Sequence, residues 1–568
     1  MSPQRRKVVF PTRPRSGATS EKSVSSPFDT DPVLSDAALN RYRARTLDPA
    51  TAPQPSGERR RQQNGDARPV RYLSTAYVAD QILVPATLFD GTDSLQGSLQ
   101  ASASRAGIEV LAVPEDLDRA RRRGSVQLRR RRPDDGNEAV PPTIPSYVRF
   151  NLSSIDDADS APPDAWKLVQ QLRDDGVDGG IGLNHILFGA GIGGTTFNSG
   201  VTFNSGVTFN SGVAAGPYEY SLPGWGGKAP VAWLADLPTR NPDLKRRPVV
   251  AILDTGVADH EWFEEEGLVT RLVVDPETGA VDSADDARGK EVDPNLIDPL
   301  QGLIDPFFGH GTFIAGLIRQ NCPDANILSL KLMGPDGIVD EFGLLSALAH
   351  LGDRQAAAQA EGGDPSQAVD VLSISLGYYH EEPGDVTSDL KLKQALDALR
   401  ASGITVVAAA GNNSTTRPMY PAGFANFRDG VWQTADGEGK AWPPLLSVGA
   451  LNPDRSVALF SNGGSWVACH TPGAALVSSL PIVDASAQAA VSMGAPVGED
   501  KVAATWRANL DPDNYTGYGT WSGTSFAAPV LAGAVAQQLV DEGDLTDISP
   551  DAYHQRAKSA LTSLGFSW

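Results

Sequence analysis

The chain has 568 residues, 40% of them hydrophobic and 21% charged, which exceeds one compact core and calls for at least two domains. Its formal charge of −21 argues against nucleic acid as a partner of the whole chain. No apolar run approaches the length of a membrane-spanning helix, so no membrane span is expected.

Residues 1–71 are rich in Arg, Pro, Ser, Gln and Asp and lack apolar periodicity, which predicts a disordered basic tail. Within it Arg5, Arg6 and Lys7 precede only Val8, Val9 and Phe10 before Pro11, too short for the apolar part of a signal peptide. The two cysteines, Cys322 and Cys469, show no framework spacing and are expected to stay free thiols. A cytoplasmic location is the expectation, with secretion the alternative.

Order begins near Tyr72. The pattern predicts strands over 78–85, 108–113, 125–130, 147–152 and 181–188. Helices are predicted over 93–105 and over 163–173, the second with Trp166, Leu168, Val169 and Leu172 on one face. This alternation suits a small α+β domain over 72–188. Residues 189–246 read as a Gly-rich linker, in which Thr-Phe-Asn-Ser-Gly-Val occurs three times from Thr196, Thr202 and Thr208. Three such coils are too few to bury a β-helix core.

From 247 to 568 the pattern changes. Short apolar runs at 249–253, 327–332, 369–374, 404–409 and 445–448 alternate with helices predicted over 312–320, 341–359 and 390–401. Such a pattern gives an α/β fold, a doubly wound parallel sheet covered on both faces, with its site beyond the carboxyl ends of the strands.

Four positions there carry chemistry. Asp254 follows the run Val249–Leu253 and precedes Thr255-Gly256, a place for a buried carboxylate that orients a histidine or, more simply, caps a turn. Asp-Thr-Gly also marks aspartic proteases, but those need two carboxylates sharing a proton, and no convincing second copy is present. His310 lies in Gly309-His310-Gly311-Thr312 at a helix start, where flanking glycines allow close approach to the imidazole. Ser525, in Gly523-Thr524-Ser525, opens another helix and suits a nucleophile or an N-cap. Asn412 follows the run 404–409 and can give its amide to an oxyanion or form a turn.

In this order the four blocks resemble the signature motifs of the subtilase family over about residues 247–540. Ser373-Ile374-Ser375-Leu376-Gly377 resembles that family's substrate-binding strand. The chain departs from the family pattern at Thr471-Pro472-Gly473, in an acidic insertion over 259–306 and in a segment over 483–517.

The resemblance implies a serine endopeptidase acting on proteins or peptides. Asp254, His310 and Ser525 would be its triad, Asn412 its oxyanion donor, and Ser375, Leu376 and Gly377 its substrate-pairing residues. It implies no cofactor for the chemistry. Structural calcium is common in the family, but no ligand motif for it, or for any other metal, is visible. The resemblance further implies that residues 72–188 are a ferredoxin-like propeptide, with self-cleavage between about Phe188 and Leu244; a permanent accessory domain is the alternative. Two other functions compete: a non-catalytic binder that kept the fold, and a regulated effector protease held off by a protein partner.

Overall fold

The computed structural model describes residues 34, 36–50, 72–89, 93–130, 144–155, 162–177, 180–190, 227–292, 296–298, 303–382, 391–425, 427–428, 431–432, 442–482 and 515–566. The hexapeptide repeats, and the second insertion up to 514, lie outside them.

The N-terminal domain is built from β2 (Ala76–Pro85), α2 (Asp93–Arg105), β3 (Ile108–Ala112), α3 (Pro114–Arg130), β4 (Tyr147–Ser154), α4 (Ala165–Asp174) and β5 (Gly182–Gly189). Its strands run in the order β5-β2-β4-β3, every pair antiparallel. With α2 packed on α4, this is the split βαβ order of ferredoxin-like domains. Its own core gathers Ile82, Val84, Leu99, Phe150, Trp166 and Leu168.

Two expectations fail here. Residues 125–130 are not a strand but the last turns of α3. That helix begins with Pro114 and then Glu115 and Asp116, a strong N-terminal signal that carries it through the arginine-rich stretch. Nor is the basic tail structureless throughout. Asp36–Arg41 forms a helix, α1, and Ala44–Thr46 a strand, β1, which pairs with the start of β2.

In the C-terminal domain, β6 (Val249–Asp254), β7 (Val269–Val274), β9 (Asn326–Lys331), β11 (Val371–Ile374), β13 (Thr405–Ala409), β14 (Leu446–Leu451) and β15 (Cys469–Pro472) pair in parallel. The short β8 (Val281–Ser283) joins antiparallel at one edge, giving the order β15-β14-β13-β11-β6-β9-β7-β8. The strands near the middle, β6, β11 and β13, are buried along their whole length, as a sheet covered on both faces requires. Each fully buried Val, Leu or Ile contributes about 1.5–3 kcal/mol. Helices α5 (His310–Asn321) and α8 (Thr524–Glu542) pack together as one pair; α6 (Glu341–Ala358) and α7 (Lys391–Ala401) form another. Cys322 and Cys469 are free and buried, and burial pushes the Cys322 thiol up to about 12.

Two short strands, β10 (Ile338–Asp340) and β12 (Leu376–Gly377), lie outside the parallel sheet. Both pair antiparallel with β5, one on each side. The last strand of the N-terminal domain therefore runs past Phe188, where its domain was expected to end, into a cleft between two strands of the C-terminal domain.

Among the described residues, no helix is long and apolar enough to cross a membrane.

Candidate active site

Asp254 ends β6, so its carboxylate stands at the carboxyl edge of the sheet, and it is buried. Its Oδ1 accepts from the Thr255 N–H at 2.8 Å and His310 Nδ1 at 2.8 Å, and lies 3.1 Å from the Thr255 hydroxyl oxygen. A carboxylate at Nδ1 makes that nitrogen the proton carrier and leaves Nε2 of the neutral ring as a base. Nε2 is buried and has no hydrogen-bond partner among the described residues, and the ring packs among Phe307, Phe526 and Trp521.

The glycines around His310 are geometric necessities. Gly309 has φ +87°, and a Cβ there would lie 2.6 Å from Leu480 Cδ2. Gly311 lies against the Gly256 carbonyl, with no space for a side chain, which brings the start of α5 up to Asp254.

Ser525 lies in the first turn of α8, where unpaired N–H groups favour developing negative charge. Its hydroxyl donates to the Ser375 carbonyl at 3.1 Å, and the Ser375 hydroxyl donates to the Ser525 carbonyl at 2.8 Å. No hydrogen bond joins Ser525 to His310 in this arrangement. The Asn412 Oδ1 accepts from the Thr524 N–H at 2.9 Å and its hydroxyl at 2.8 Å. Those two bonds fix the amide's orientation, so Nδ2 is presented as a donor.

Ala190 receives that donor. Its carbonyl accepts from Asn412 Nδ2 and from the Ser525 N–H, the latter at 3.1 Å. Its own N–H donates to the Ser375 carbonyl at 2.9 Å. Leu376 lies opposite Gly189 and Gly377 opposite Phe188. The structure thus brings Asp254 to His310, and gathers Ser525, Asn412 and Ser375–Gly377 around one peptide segment of the same chain.

Glu291 was not anticipated. It returns from the acidic insertion to accept hydrogen bonds from the Thr255 hydroxyl, the Gly309 N–H at 3.0 Å, and the N–H (3.2 Å) and hydroxyl of Thr312. Burial raises its pKa; the Thr255 and Thr312 hydrogen bonds pull the other way, and the charge of Asp254 adds to the rise. This carboxylate ties the Asp254 loop to the His310 loop.

A second charged cluster lies farther back along β5. His185 is buried between Glu341 at Nδ1 (2.8 Å) and Glu381 at Nε2 (3.0 Å). Burial opposes its charge, yet Glu381 and Glu341 together push its pKa up to about 10. The adjacent His380 uses Nδ1 to accept the Glu382 N–H, so it is not turned to ligate a metal with that nitrogen. Both nitrogens of His185 face carboxylates, so the cluster fits an imidazolium ion pair better than a metal site.

A doubly wound sheet with these three residues in the order Asp, His, Ser at its strand ends and helix starts is the architecture of subtilisin-like serine endopeptidases. The model of the subtilase family matches residues 245–559, and the chain belongs to that family and is a subtilisin-like serine endopeptidase. It is 27% identical to an intracellular serine protease of Paenibacillus polymyxa over 59% of this chain and 78% of the relative. To the major intracellular serine protease of Bacillus subtilis (strain 168) it is 26% identical, over 47% of this chain and 69% of that one. The solved structure of fervidolysin from Fervidobacterium pennivorans aligns with 82% of this chain and 55% of its own, at 17% identity and a TM-score of 0.41.

Proposed function

We propose that this endopeptidase is made as a self-inhibited precursor. Asp254, His310 and Ser525 are its triad, Asn412 and the Ser525 amide its oxyanion hole, and Ser375–Gly377 its substrate-pairing strand. The N-terminal domain is cut after Ala190 and then stays docked as a product.

The geometry supports the following reaction. The Ser525 hydroxyl turns about its χ1 bond from the Ser375 carbonyl to His310 Nε2. As Oγ bonds to the Ala190 carbonyl carbon, its proton passes to Nε2 and the carbonyl oxygen becomes an oxyanion held by Asn412 Nδ2 and the Ser525 N–H. Collapse breaks the bond to the nitrogen of Gly191, which takes the proton from His310. Water then attacks the ester, giving a proton to Nε2. Oγ leaves with that proton and Ala190 is left as a carboxylic acid, which releases its remaining proton to solvent. Asp254 remains ionised throughout and steadies the imidazolium.

The observation that carries this reading is the Ala190 carbonyl, which accepts from both oxyanion donors while residues 186–189 pair with strands on either side. An accessory domain held away from Ser525 has no reason to supply such a contact. A cytoplasmic site of action is part of the proposal. It is supported by the two relatives named as intracellular proteases and by two cysteines that remain unpaired.

Mass spectrometry of the purified protein tests it. Wild type gives a new amino terminus at Gly191, and Ser525→Ala stays full length. An active wild type that stays intact defeats the precursor reading. Once the docked domain has been released, a fluorophosphonate probe that fails to label Ser525 defeats the assignment of the nucleophile.

A further inference from the structure

The strand in the cleft also shows which residues the cleft has room for. Taking Ala190 as the substrate-like residue, the one before it is Gly189, whose N–H donates to the Gly337 carbonyl at 2.9 Å. A Cβ on Gly189 would lie 2.5 Å from Phe307 Cε1 and 3.0 Å from Cδ1. Both are far inside the 3.5–4.0 Å at which carbon atoms attract. The ring is closely packed on its other sides as well. On another side is Gly337, where a Cβ would lie 2.5 Å from the Phe307 Cδ2 and Cγ atoms. The ring also meets the His310 imidazole at 5.0 Å between centroids, and it is fully buried.

Ala190 itself sits between two chain segments. Ser375–Gly377 holds its N–H side, and Gly411–Asn412 holds its carbonyl side. The fully buried Met419 spans the space between those segments. Its Cε lies 2.8 Å from where a Cβ of Gly377 would stand, and its Sδ 2.8 Å from where a Cβ of Gly411 would stand. Without side chains, two glycines facing each other leave a slot; here a thioether occupies it. Its backbone is pinned, because the Met419 carbonyl accepts from the Gly423 N–H at 2.7 Å, and Tyr420 exchanges two hydrogen bonds with Tyr378.

We propose that the cleft is selective for extended segments with glycine followed by a small residue such as alanine ahead of the cut bond. Phe307 imposes the glycine and Met419 limits the residue that follows. The substrate class is therefore a flexible, small-residue stretch rather than a segment with a bulky side chain before the bond. This rests on the protease reading above and adds to it a specificity that the triad does not determine.

Profiling a peptide library with the self-processed wild-type protein, after its docked N-terminal domain has been released, tests the selectivity directly. Cleavage after Gly-Ala pairs is expected to exceed cleavage after Gly-Phe or Leu-Ala pairs by about a hundredfold, the scale on which packed pockets discriminate. Comparable rates on bulky pairs overturn the proposal. In the full-length chain, Ala190→Phe slows self-cleavage after that position. Adding Met419→Ala restores it if the thioether is the barrier. Failure of a folded double variant to regain cleavage, with a normal melting transition as the check on folding, removes Met419 from the argument. If the double variant does not fold, the library result decides alone. Absence of cleavage of any peptide, with Ser525 unlabelled by fluorophosphonate, overturns the endopeptidase reading instead, and is thereby told apart from a wrong specificity.

Discussion

The two ends of β5 are held by opposite means. Toward Ala190 the grip is on the main chain: N–H and carbonyl groups meet Ser375, Gly337, Asn412 and the Ser525 amide, and the side chains are a hydrogen and a methyl. Five residues earlier the grip is on a side chain, with the His185 ring buried between Glu341 and Glu381. Any extended polypeptide with small residues at these two positions can offer the first set of contacts, but only this strand offers the second. A cleft that must accept other chains can recognise backbone; a domain that must outcompete them needs a contact they lack.

Breaking the active-site end has the larger consequences. Ser525→Ala or His310→Ala is expected to lower turnover on a peptide substrate by about a millionfold, the scale seen in subtilisin itself, measured as kcat on folded protein whose N-terminal domain has been cut by an added protease and released, for variant and wild type alike. Asn412→Ala removes one proposed oxyanion donor and is expected to lower kcat about a hundred- to a thousandfold with little change in KM. A loss in KM alone would show that Asn412 holds the substrate and not its transition state. Glu291→Gln keeps the shape of the side chain but sets an NH2 group against the donors of Thr312 or Gly309. Turnover is expected to fall about ten- to a hundredfold through misplacement of the Asp254–His310 pair. Unchanged turnover would reduce Glu291 to a structural tie.

The charged end is tested by pH, with a smaller effect. His185 has a pKa of about 10 when the domain is docked, against 6.5 for a free ring. A raised value means that docking is favoured by protonation. Its contribution is full below about pH 6.5 and is lost as pH rises through 10. Facing it are Glu341 from α6, Glu381 and His380 beyond β12, and Lys391, whose Nζ lies 3.7 Å from Glu341. Release of activity from the processed protein, normalised to fully released enzyme at each pH, is expected to quicken by up to about tenfold per pH unit in that interval. His185→Gln should flatten the dependence; an unchanged profile would mean that the backbone contacts hold the domain alone.

The active-site end was much the more legible in sequence. Asp254, His310, Asn412 and Ser525 each stand at the end of an apolar run or the start of a helix, framed by glycines that local geometry demands, so short motifs expose them. Glu291 lacks any such frame: it belongs to an insertion, and its role exists only once the chain returns to Thr255 and Thr312. His185 reads as one more histidine on a strand, because its partners lie 156 and 196 residues away. The helix α1 and strand β1 were lost in a tail whose composition is dominated by charge and proline. Strand β1 is held by pairing with β2 and helix α1 by packing Ala38 and Leu39 near Val78, Ile186 and Ile338, which no local pattern reports. The strand predicted at 125–130 gave way to α3 because the helix start at Pro114 lies eleven residues upstream of the window that was read as β.

The two buried thiols provide a clock for the opening of this molecule. Cys322 lies just past the end of α5 and Cys469 on the edge strand β15, and both are fully enclosed. Burial raises the pKa of each, so little of either is thiolate near neutrality, and the thiolate is the form that reacts. A thiol reagent therefore leaves the native protein alone and marks each cysteine only when its own region opens. Because one cysteine follows the helix of His310 and the other borders the far side of the sheet, their separate labelling rates time two different unfolding events in a single experiment.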